Sequence, residues 1–440
     1  MQQEDRGERL LRAYAWLTGA ALGGVDGVVA ARLLPAWNGV DGVVAARLLP
    51  AWNGGAPLRD CLAVALAVSV PGIAAALAAP ALASWAGRRP VNTAAAALLL
   101  VGAGTGAAPA PWAPPLGLGL LGAGHALAWV VLPRRAHELS LRGHARLVPQ
   151  ATALVGAGGA AGIGAACATG MSAQGPLALV GACAAALLVV SAVLPESPLW
   201  HVIRGEEEKA FLALRRLHGP LEAAVAIDWV RLEAQMGAEQ RPLRARDLAI
   251  PQVRASMATA AVLLCAQEAP LAAAVVAYAP ALVIRSGGST PAVAVFAVAA
   301  AAVSAIALAV VRAVRAHRFL RVLLGCALAV AASTAGAALV ELRAGAPAGA
   351  VVVGALVLAA QRCLTYPGCH GAIDPRVPPW LVEWQRRAVV LANVLARFAV
   401  LLVGTLLLAA PPMVAAGAYL VLQCAALVVV LARLPRELRM

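Results

Sequence analysis

Long apolar runs alternate with short polar segments along nearly the whole chain. A membrane-spanning helix needs roughly 20 apolar residues, and twelve runs come close to that length or exceed it. They lie at about residues 10–31, 61–83, 91–108, 115–133, 147–169 and 176–194, then at about 253–284, 291–311, 320–340, 347–365, 388–409 and 412–432. The pattern predicts an all-α integral membrane protein with about 12 transmembrane helices in two six-helix bundles.

The longest polar segment separates the two groups of runs. Between residues 195 and 254 it carries nine Lys or Arg and nine Asp or Glu, so it cannot lie in hydrocarbon. We therefore predict a first bundle at 1–194, a helical linker at 195–252 and a second bundle at 253–440. Within the linker, acidic residues followed by basic ones and Gly219-Pro220 predict one helix, with a second at about 221–240.

Composition narrows the class of protein further. Hydrophobic residues make up 62% of the chain and charged residues 13%, whereas soluble domains carry about 25% charged residues. The net charge of +14 does not indicate nucleic-acid binding, because the basic residues are spread over many short loops. With the N-terminus inside, cytoplasmic segments hold 28 Lys or Arg and outer segments five, which predicts cytoplasmic N- and C-termini.

The sequence contains no recognisable set of catalytic residues. It has no arguable Ser-His-Asp arrangement, no phosphate-binding Gly-Lys-Ser/Thr loop and no metal-ligand spacing, and its eight Cys are scattered. We expect no enzyme activity, catalytic residue, metal or cofactor.

Fifteen residues are repeated in direct tandem near the N-terminus. Residues 25–39 and 40–54 both read VDGVVAARLLPAWNG. Two copies are too few for a solenoid, which favours a local duplication or a gene-model artefact. We expect the first copy to end the first span and the second to lie outside the membrane.

Two short motifs carry a family resemblance. Residues 195–200 read Pro-Glu-Ser-Pro-Leu-Trp, similar to the Pro-Glu-Ser-Pro-Arg-Trp that follows helix six in solute carrier family 22, the organic cation/anion transporters of the major facilitator superfamily. Residues 80–89 keep the Gly-Arg-Arg end of the superfamily motif between helices two and three. The resemblance implies gating roles, to which we assign Gly87, Arg88, Arg89, Glu138, Pro195, Glu196, Ser197 and Pro198.

The same motifs also depart from the family pattern. Ser84 and Trp85 stand where the superfamily motif has Asp and Arg, and that Asp helps to latch the two bundles in the family. One alternative is therefore a transport-inactive relative acting as a scaffold or regulator. Another is a sugar-porter-like transporter, because sugar porters share Pro-Glu-Ser-Pro and a Gln in helix seven that Gln267 could match.

Ionisable and polar residues inside the spans are candidates for substrate binding, because each is costly to insert. Arg397 is the strongest, since Ala396-Arg397 matches the organic-anion branch of the family and a guanidinium suits carboxylates. Glu268 beside Gln267 could line a cavity or pair with an Arg. His125 and Trp129, four apart, share a helix face and either line the cavity or pack. The remaining candidates are Tyr278, Gln361 and Asn393.

These observations together predict a secondary active or facilitative transporter of small organic ions, with anions favoured over cations. Substrate would bind near the midplane between rocking bundles. We expect the protein to be a multi-pass plasma-membrane monomer, with a small organic ion and the lipid bilayer as its partners.

Overall fold

The computed structural model describes residues 2–33, 56–140 and 173–238, with shorter pieces within 151–168, 249–251, 293–306 and 391–424. Every element in these ranges is a helix or a single turn. Within the described residues, eight helices follow in order. They are α1 (Gln2–Leu33), α2 (Ala56–Trp85), α3 (Arg88–Ala107), α4 (Ala113–Leu139), α5 (Gln174–Val193), α6 (Pro198–Ile203), α7 (Glu207–His218) and α8 (Pro220–Ala238).

Four of the described helices have the length and hydropathy to cross a membrane. They are Leu62–Trp85 within α2, and α3, α4 and α5 over their full lengths. Their positions confirm the predicted spans at 61–83, 91–108, 115–133 and 176–194. The first predicted span lies within α1, which has the length but does not reach the same hydropathy; Arg12 lies inside it and Asp26 lowers its mean hydropathy.

Small residues bring these helices close together. Helices α3 and α4 share the most extensive contact, and at Gly117 of α4 a Cβ atom would lie within 2.6 Å of the backbone of Gly106. Gly124 of α4 similarly faces the backbone of Ala95 and Leu99. Membrane helices gain little from burying apolar surface and depend on close backbone approach. The Gly- and Ala-rich composition is therefore what lets this bundle pack.

Helices α6, α7 and α8 form a small separate core in the linker. Leu199, Leu214 and Ile227 pack there with neighbouring Ala and Val side chains. Helix α7 ends at Gly219, whose φ of 93° lies in the left-handed region that favours glycine. The two predicted linker helices are thereby confirmed, with bounds that differ by one or two residues.

The linker helices pack against one end of the bundle, which we call the linker end. His218 of α7 lies 2.8 Å from the carbonyl oxygen of Leu139, the last residue of α4. Gly7 of α1 packs against the backbone of Leu217, with no room for a side chain between them. The linker is thus attached directly to α1 and α4 as well as to the chain that precedes it.

Two helices extend beyond the predicted spans, and both extensions contain arginines. The helix that holds the span at 115–133 continues to Leu139, so Arg134 and Arg135 belong to α4 and not to a loop. The helix that holds the span at 91–108 begins at Arg88. Basic residues at the end of an apolar run suggest solvent, but Arg88 and Arg135 are buried and Arg134 is only partly exposed.

The tandem repeat is only partly within the described residues. Its first copy enters α1, where Val25, Val28 and Val29 are buried. This agrees with the expectation that the first copy ends the first span. Residues 34–54, including the second copy, lie outside the described residues.

Candidate functional site

A glycine turn and a carboxylate together define the start of α3. Gly87 adopts φ 100° and ψ 168°, and a Cβ there would collide with the carboxylate of Glu196. Glu196 accepts hydrogen bonds from the backbone N–H of Arg88 at 3.0 Å and of Arg89 at 3.0 and 3.2 Å. A carboxylate at this point satisfies the free N–H groups of the first helical turn and complements the helix dipole.

The residues after Glu196 begin α6. The backbone N–H of Ser197 donates to Glu196 Oε1 at 2.8 Å, and the Ser197 hydroxyl accepts from the N–H of Trp200 at 3.2 Å. Pro198 occupies the first turn of α6, a position where its missing N–H costs nothing. Pro195 and Pro198 are both buried. The motif is therefore a rigid turn that fixes the direction of the Glu196 side chain.

A buried ion pair links α3 to α4. Arg88 donates from Nε to Glu138 Oε2 and from Nη2 to Glu138 Oε1, both at 3.0 Å, and from Nη1 to the carbonyl of Ala83 at 3.1 Å. The two side chains are 2% and 1% exposed. Arg134 adds a third bond to the same carboxylate, from Nε to Oε1 at 2.8 Å. Paired donors on paired acceptors are the strongest arrangement for such a pair.

The end of α2 is held by the linker through its backbone. The indole N–H of Trp200 donates to the carbonyl of Ser84 at 3.2 Å, and Arg204 Nη2 donates to the carbonyl of Trp85 at 2.6 Å. The Arg204 guanidinium also lies 4.1 Å from the Trp200 ring centroid. Ser84 and Trp85 lack the side chains of the superfamily motif, yet their carbonyls connect α2 to α6.

We call Arg88, Arg89, Arg134, Glu138 and Glu196 the linker-end cluster. It joins the α2–α3 turn, the last turn of α4 and the junction of α5 with α6. Arg89 completes it by donating from Nη2 to the carbonyl of Ala192 at 2.8 Å. These contacts make one end of the bundle a single unit.

A second buried polar group lies beside this cluster. The Arg135 guanidinium carbon is 5.0 Å from the ring centroid of Tyr14 on α1. The Tyr14 hydroxyl donates to Asn92 Oδ1 at 3.0 Å, and Asn92 Nδ2 donates to the Ser191 hydroxyl at 2.6 Å. All four residues are buried. Helices α1, α3, α4 and α5 are thereby connected by polar contacts inside the bundle.

Further along α4, away from the linker end, His125 and Trp129 are buried. The His125 ring meets Phe398 edge-on, with ring centroids 6.0 Å apart. A Cβ on Gly72 of α2 would lie within 3 Å of three Phe398 ring carbons. Phe398 belongs to the second half of the chain, so this aromatic contact joins the two halves.

Comparison with known proteins identifies the family. The profile described as "Sugar (and other) transporter" matches residues 56–365, well over half of the chain. The chain belongs to the sugar (and other) transporter family. No curated protein sequence matches the chain significantly.

Solved structures of the xylose transporter XylE share the fold of this sugar-transporter-family chain. One is the proton:xylose symporter XylE bound to 6-bromo-6-deoxy-D-glucose, with a TM-score of 0.67 at 15% identity over 95% of this chain and 94% of that one. A double-Trp XylE mutant gives 0.72 at 19% identity, over 96% and 94%. The inward-open conformation of XylE from E. coli gives 0.67 at 16% identity, over 96% and 94%.

These matches establish the fold as that of the major facilitator superfamily. The family and its apolar helices make the protein a multi-pass membrane transporter, and its family comprises transporters and not enzymes. The superfamily part of the resemblance is therefore confirmed. The family that matches is the sugar transporter family, which favours the sugar-porter-like alternative over the organic-anion hypothesis.

The structure brings together the predicted gating residues of this transporter and places two of the predicted substrate residues. Gly87, Arg88, Arg89, Glu138, Glu196 and Ser197 lie at the linker end in mutual contact, and His125 and Trp129 share a buried stretch of α4. The other substrate candidates lie outside the described residues: Arg397, Gln267, Glu268, Tyr278, Gln361 and Asn393. Phe398, the neighbour of Arg397 in sequence, does contact α2 and α4.

Sequence reasoning missed Arg134, Arg135 and the Tyr14–Asn92–Ser191 contacts. The spacing of Arg134 and Glu138, four apart, was a readable signal for a helical ion pair. Asn92 and Ser191 gave no signal, because single small polar residues are common in membrane spans. Among the described residues, none form a group of three His, Cys, Asp or Glu able to hold a metal ion.

Proposed function

We propose that the protein is a secondary transporter that moves a small sugar-like solute across the membrane by alternating access. The family match over residues 56–365 supports transport of a small solute. XylE is a proton:xylose symporter that has been solved with 6-bromo-6-deoxy-D-glucose bound, which supports a sugar-like solute here. We further propose a plasma-membrane location with both termini cytoplasmic, from the distribution of Arg.

The linker-end cluster is the observation that carries this proposal. Alternating access needs two bundles that move as units about a central site. A bidentate buried pair between Arg88 and Glu138, together with Glu196 at the start of α3, gives the first bundle such rigidity at its linker end. A scaffold with no moving parts has no need of this costly arrangement, because buried charges are expensive unless fully paired.

The lost motif side chains fit the same proposal. The resemblance implies that the missing Asp weakens a latch, but the backbone carbonyls of Ser84 and Trp85 accept hydrogen bonds from Trp200 and Arg204. Backbone acceptors survive any change of side chain. The contact between α2 and the linker is therefore retained by other atoms.

A second candidate is transport of a small organic anion. It is favoured by the excess of guanidinium groups at the linker end. Arg88 and Arg134 share the carboxylate of Glu138, the Arg89 guanidinium donates to a backbone carbonyl, and Arg135 follows Arg134 on α4. Uptake of a neutral sugar and uptake of an organic anion can be measured separately in one assay.

Uptake into proteoliposomes tests the proposed function. The full-length protein would be purified, reconstituted and assayed with labelled D-xylose, D-glucose and gluconate, against protein-free liposomes. We expect saturable uptake of a sugar. The matched variants are Glu138→Gln, which should reduce uptake strongly, and Glu207→Gln, which removes an exposed carboxylate of the linker and should not. Cooperative thermal unfolding without uptake of any solute would favour a scaffold and contradict transport.

A further inference from the structure

Among the described residues, Arg135 is a buried cation of the bundle with no carboxylate partner. Arg135 is fully buried, and in the part of the chain that the structure describes its three guanidinium nitrogens have no hydrogen-bond partner. Its described neighbour is the neutral side chain of Tyr14, whose ring centroid lies 5.0 Å away and whose hydroxyl also interacts with the guanidinium. A cation–π contact offsets only part of the cost of removing a guanidinium from water. The site is therefore under-compensated.

The neighbouring polar groups are already committed to other partners. Glu138, one turn further along α4, accepts two hydrogen bonds from Arg88 and one from Arg134. The Tyr14 hydroxyl donates to Asn92, and Glu196 accepts from the start of α3. At the linker end the guanidinium groups of Arg88, Arg134 and Arg135 outnumber the one carboxylate, Glu138, that accepts hydrogen bonds from guanidinium groups there. An additional negative charge would reduce this positive excess.

We propose that Arg135 binds an oxyanion group, a carboxylate or a phosphate, of the solute that the protein carries. The guanidinium presents donors in a planar fork that matches two oxygens of such a group. This inference rests on the proposed function, because the solute in question is the transported one. It narrows the substrate class from a neutral sugar to a polyhydroxylated solute that bears one acidic group.

The position of Arg135 places this contact away from the midplane. Arg135 lies near the end of α4, three residues from Glu138. His125, which contacts Phe398 from the second half of the chain, lies two to three turns earlier on α4. Arg135 is enclosed in the present conformation. A solute reaches it in the state that opens the linker end, so Arg135 acts on the solute as it passes that end.

Thermal unfolding of the purified full-length protein tests binding without any need for transport. The probes are sodium gluconate, sodium phosphate, D-glucose as a polyhydroxylated compound without a carboxylate, and sodium chloride at equal ionic strength. We expect gluconate or phosphate to raise the unfolding temperature by about 2–4 °C near saturation, since a ligand that binds only the folded state stabilises it. Glucose and chloride should raise it less.

A buried and an exposed arginine provide matched variants. Arg135→Met should abolish the oxyanion response, and Arg216→Met, which removes the same charge from an exposed position of α7, should preserve it. In oxyanion-free buffer Arg135→Met should unfold at the same temperature as the wild type or higher, because an uncompensated buried charge is lost. If Arg135→Met does not fold, Arg135→Lys takes its place in the test. Lysine keeps the positive charge but lacks the planar pair of donors, so Arg135→Lys should weaken the oxyanion response.

Two outcomes would overturn the proposal. An oxyanion response that persists in Arg135→Met would place the anion elsewhere. A large fall in the unfolding temperature of ligand-free Arg135→Met, with Arg216→Met unaffected, would indicate an internal carboxylate partner. The uptake assay is read separately. Sugar uptake without an oxyanion response refutes only this inference, whereas an oxyanion response without any uptake refutes the proposed function and leaves only anion binding at Arg135.

Discussion

Arg88 and Glu138, 50 residues apart in sequence, form a two-bond ion pair with both side chains almost fully enclosed. Each guanidinium nitrogen that faces the carboxylate lies 3.0 Å from a separate oxygen. The pair fixes the start of α3 against the end of α4. Its burial makes its energetics different from those of the ion pairs on the linker surface.

Removing one partner of this pair should destabilise the bundle strongly. Glu138→Gln leaves Arg88 buried without a full counter-charge, and breaking a buried pair in this way costs about 3–5 kcal/mol. The measurement is denaturant or thermal unfolding of the purified protein. Glu207→Gln is the control, because the Glu207–Arg231 pair is about half exposed and such pairs contribute little.

The double variant Arg88→Met/Glu138→Met sharpens this test. Replacing both members of a buried pair by apolar residues is often neutral, so the double variant should recover much of the stability lost in Glu138→Gln. Equal effects of Glu138→Gln and Glu207→Gln would show that burial of the pair has no energetic consequence.

Glu196 should contribute through backbone hydrogen bonds instead of a side-chain pair. Glu196→Gln keeps one acceptor oxygen but loses the charge and part of the acceptance from Arg88, Arg89 and Ser197. We expect a loss of about 0.5–2 kcal/mol, the usual cost of losing a side-chain cap at a helix N-terminus. Glu208→Gln, at an exposed position in the first turn of α7, is the matched control. Equal unfolding temperatures for the two variants would contradict a capping role.

The linker-end residues were readable from the sequence because a motif marks them. Gly-Arg-Arg and Pro-Glu-Ser-Pro point to the right positions, and the structure supplies the reason: a positive-φ Gly87 that leaves space for the Glu196 carboxylate. Arg135 was not readable. Pro133 and two arginines at the end of an apolar run indicate a helix end in water. Membrane helices tolerate proline where neighbouring groups satisfy the backbone, and α4 continues for six more residues.

The candidate substrate residues could be predicted only as types, not as contacts. Ionisable residues in spans are functional candidates on energetic grounds, but helical phase alone does not say which neighbour each meets. The His125 contact illustrates this. The spacing of His125 and Trp129 in the sequence indicated that they share a helix face. The ring that His125 contacts edge-on is that of Phe398, which lies 273 residues away in sequence and is found only from the fold.

A pH effect is expected in the linker. The hydrogen bond from Lys209, with a further one from His201, holds the pKa of Glu206 below its ordinary value of 4.5. A lowered folded pKa gives stability that is present above pH 4.5 and is lost as the pH falls through the folded pKa. The difference in unfolding temperature between the wild type and Glu206→Gln should therefore be constant near neutral pH and shrink below pH 4.5.

The partner of Glu206 supplies the control for this pH effect. Lys209 Nζ lies 2.8 Å from Glu206 Oε1, so Lys209→Gln should remove most of the same pH-dependent difference while leaving the carboxylate in place. A difference that grows as the pH falls would have the wrong sign and would contradict the assignment.

The contact between Gly72 and Phe398 should be intolerant of a single added methyl group. A Cβ at Gly72 would lie within 3 Å of three carbons of the Phe398 ring, and Phe398 is itself buried against His125. Overpacking of this kind costs about 1–3 kcal/mol. Because Phe398 lies in the second half of the chain, we expect Gly72→Ala to lower both the unfolding temperature and the rate of solute uptake.

Another glycine in a membrane helix provides the control for that substitution. At Gly104 of α3 nothing lies within 4 Å of an added Cβ, so Gly104→Ala should leave stability and uptake unchanged or slightly improved. The double variant Gly72→Ala/Phe398→Leu should recover part of the loss, because the smaller side chain vacates the space that the methyl group needs. If Gly72→Ala behaves like Gly104→Ala, the two halves of the chain do not meet through this ring when the protein is in the membrane.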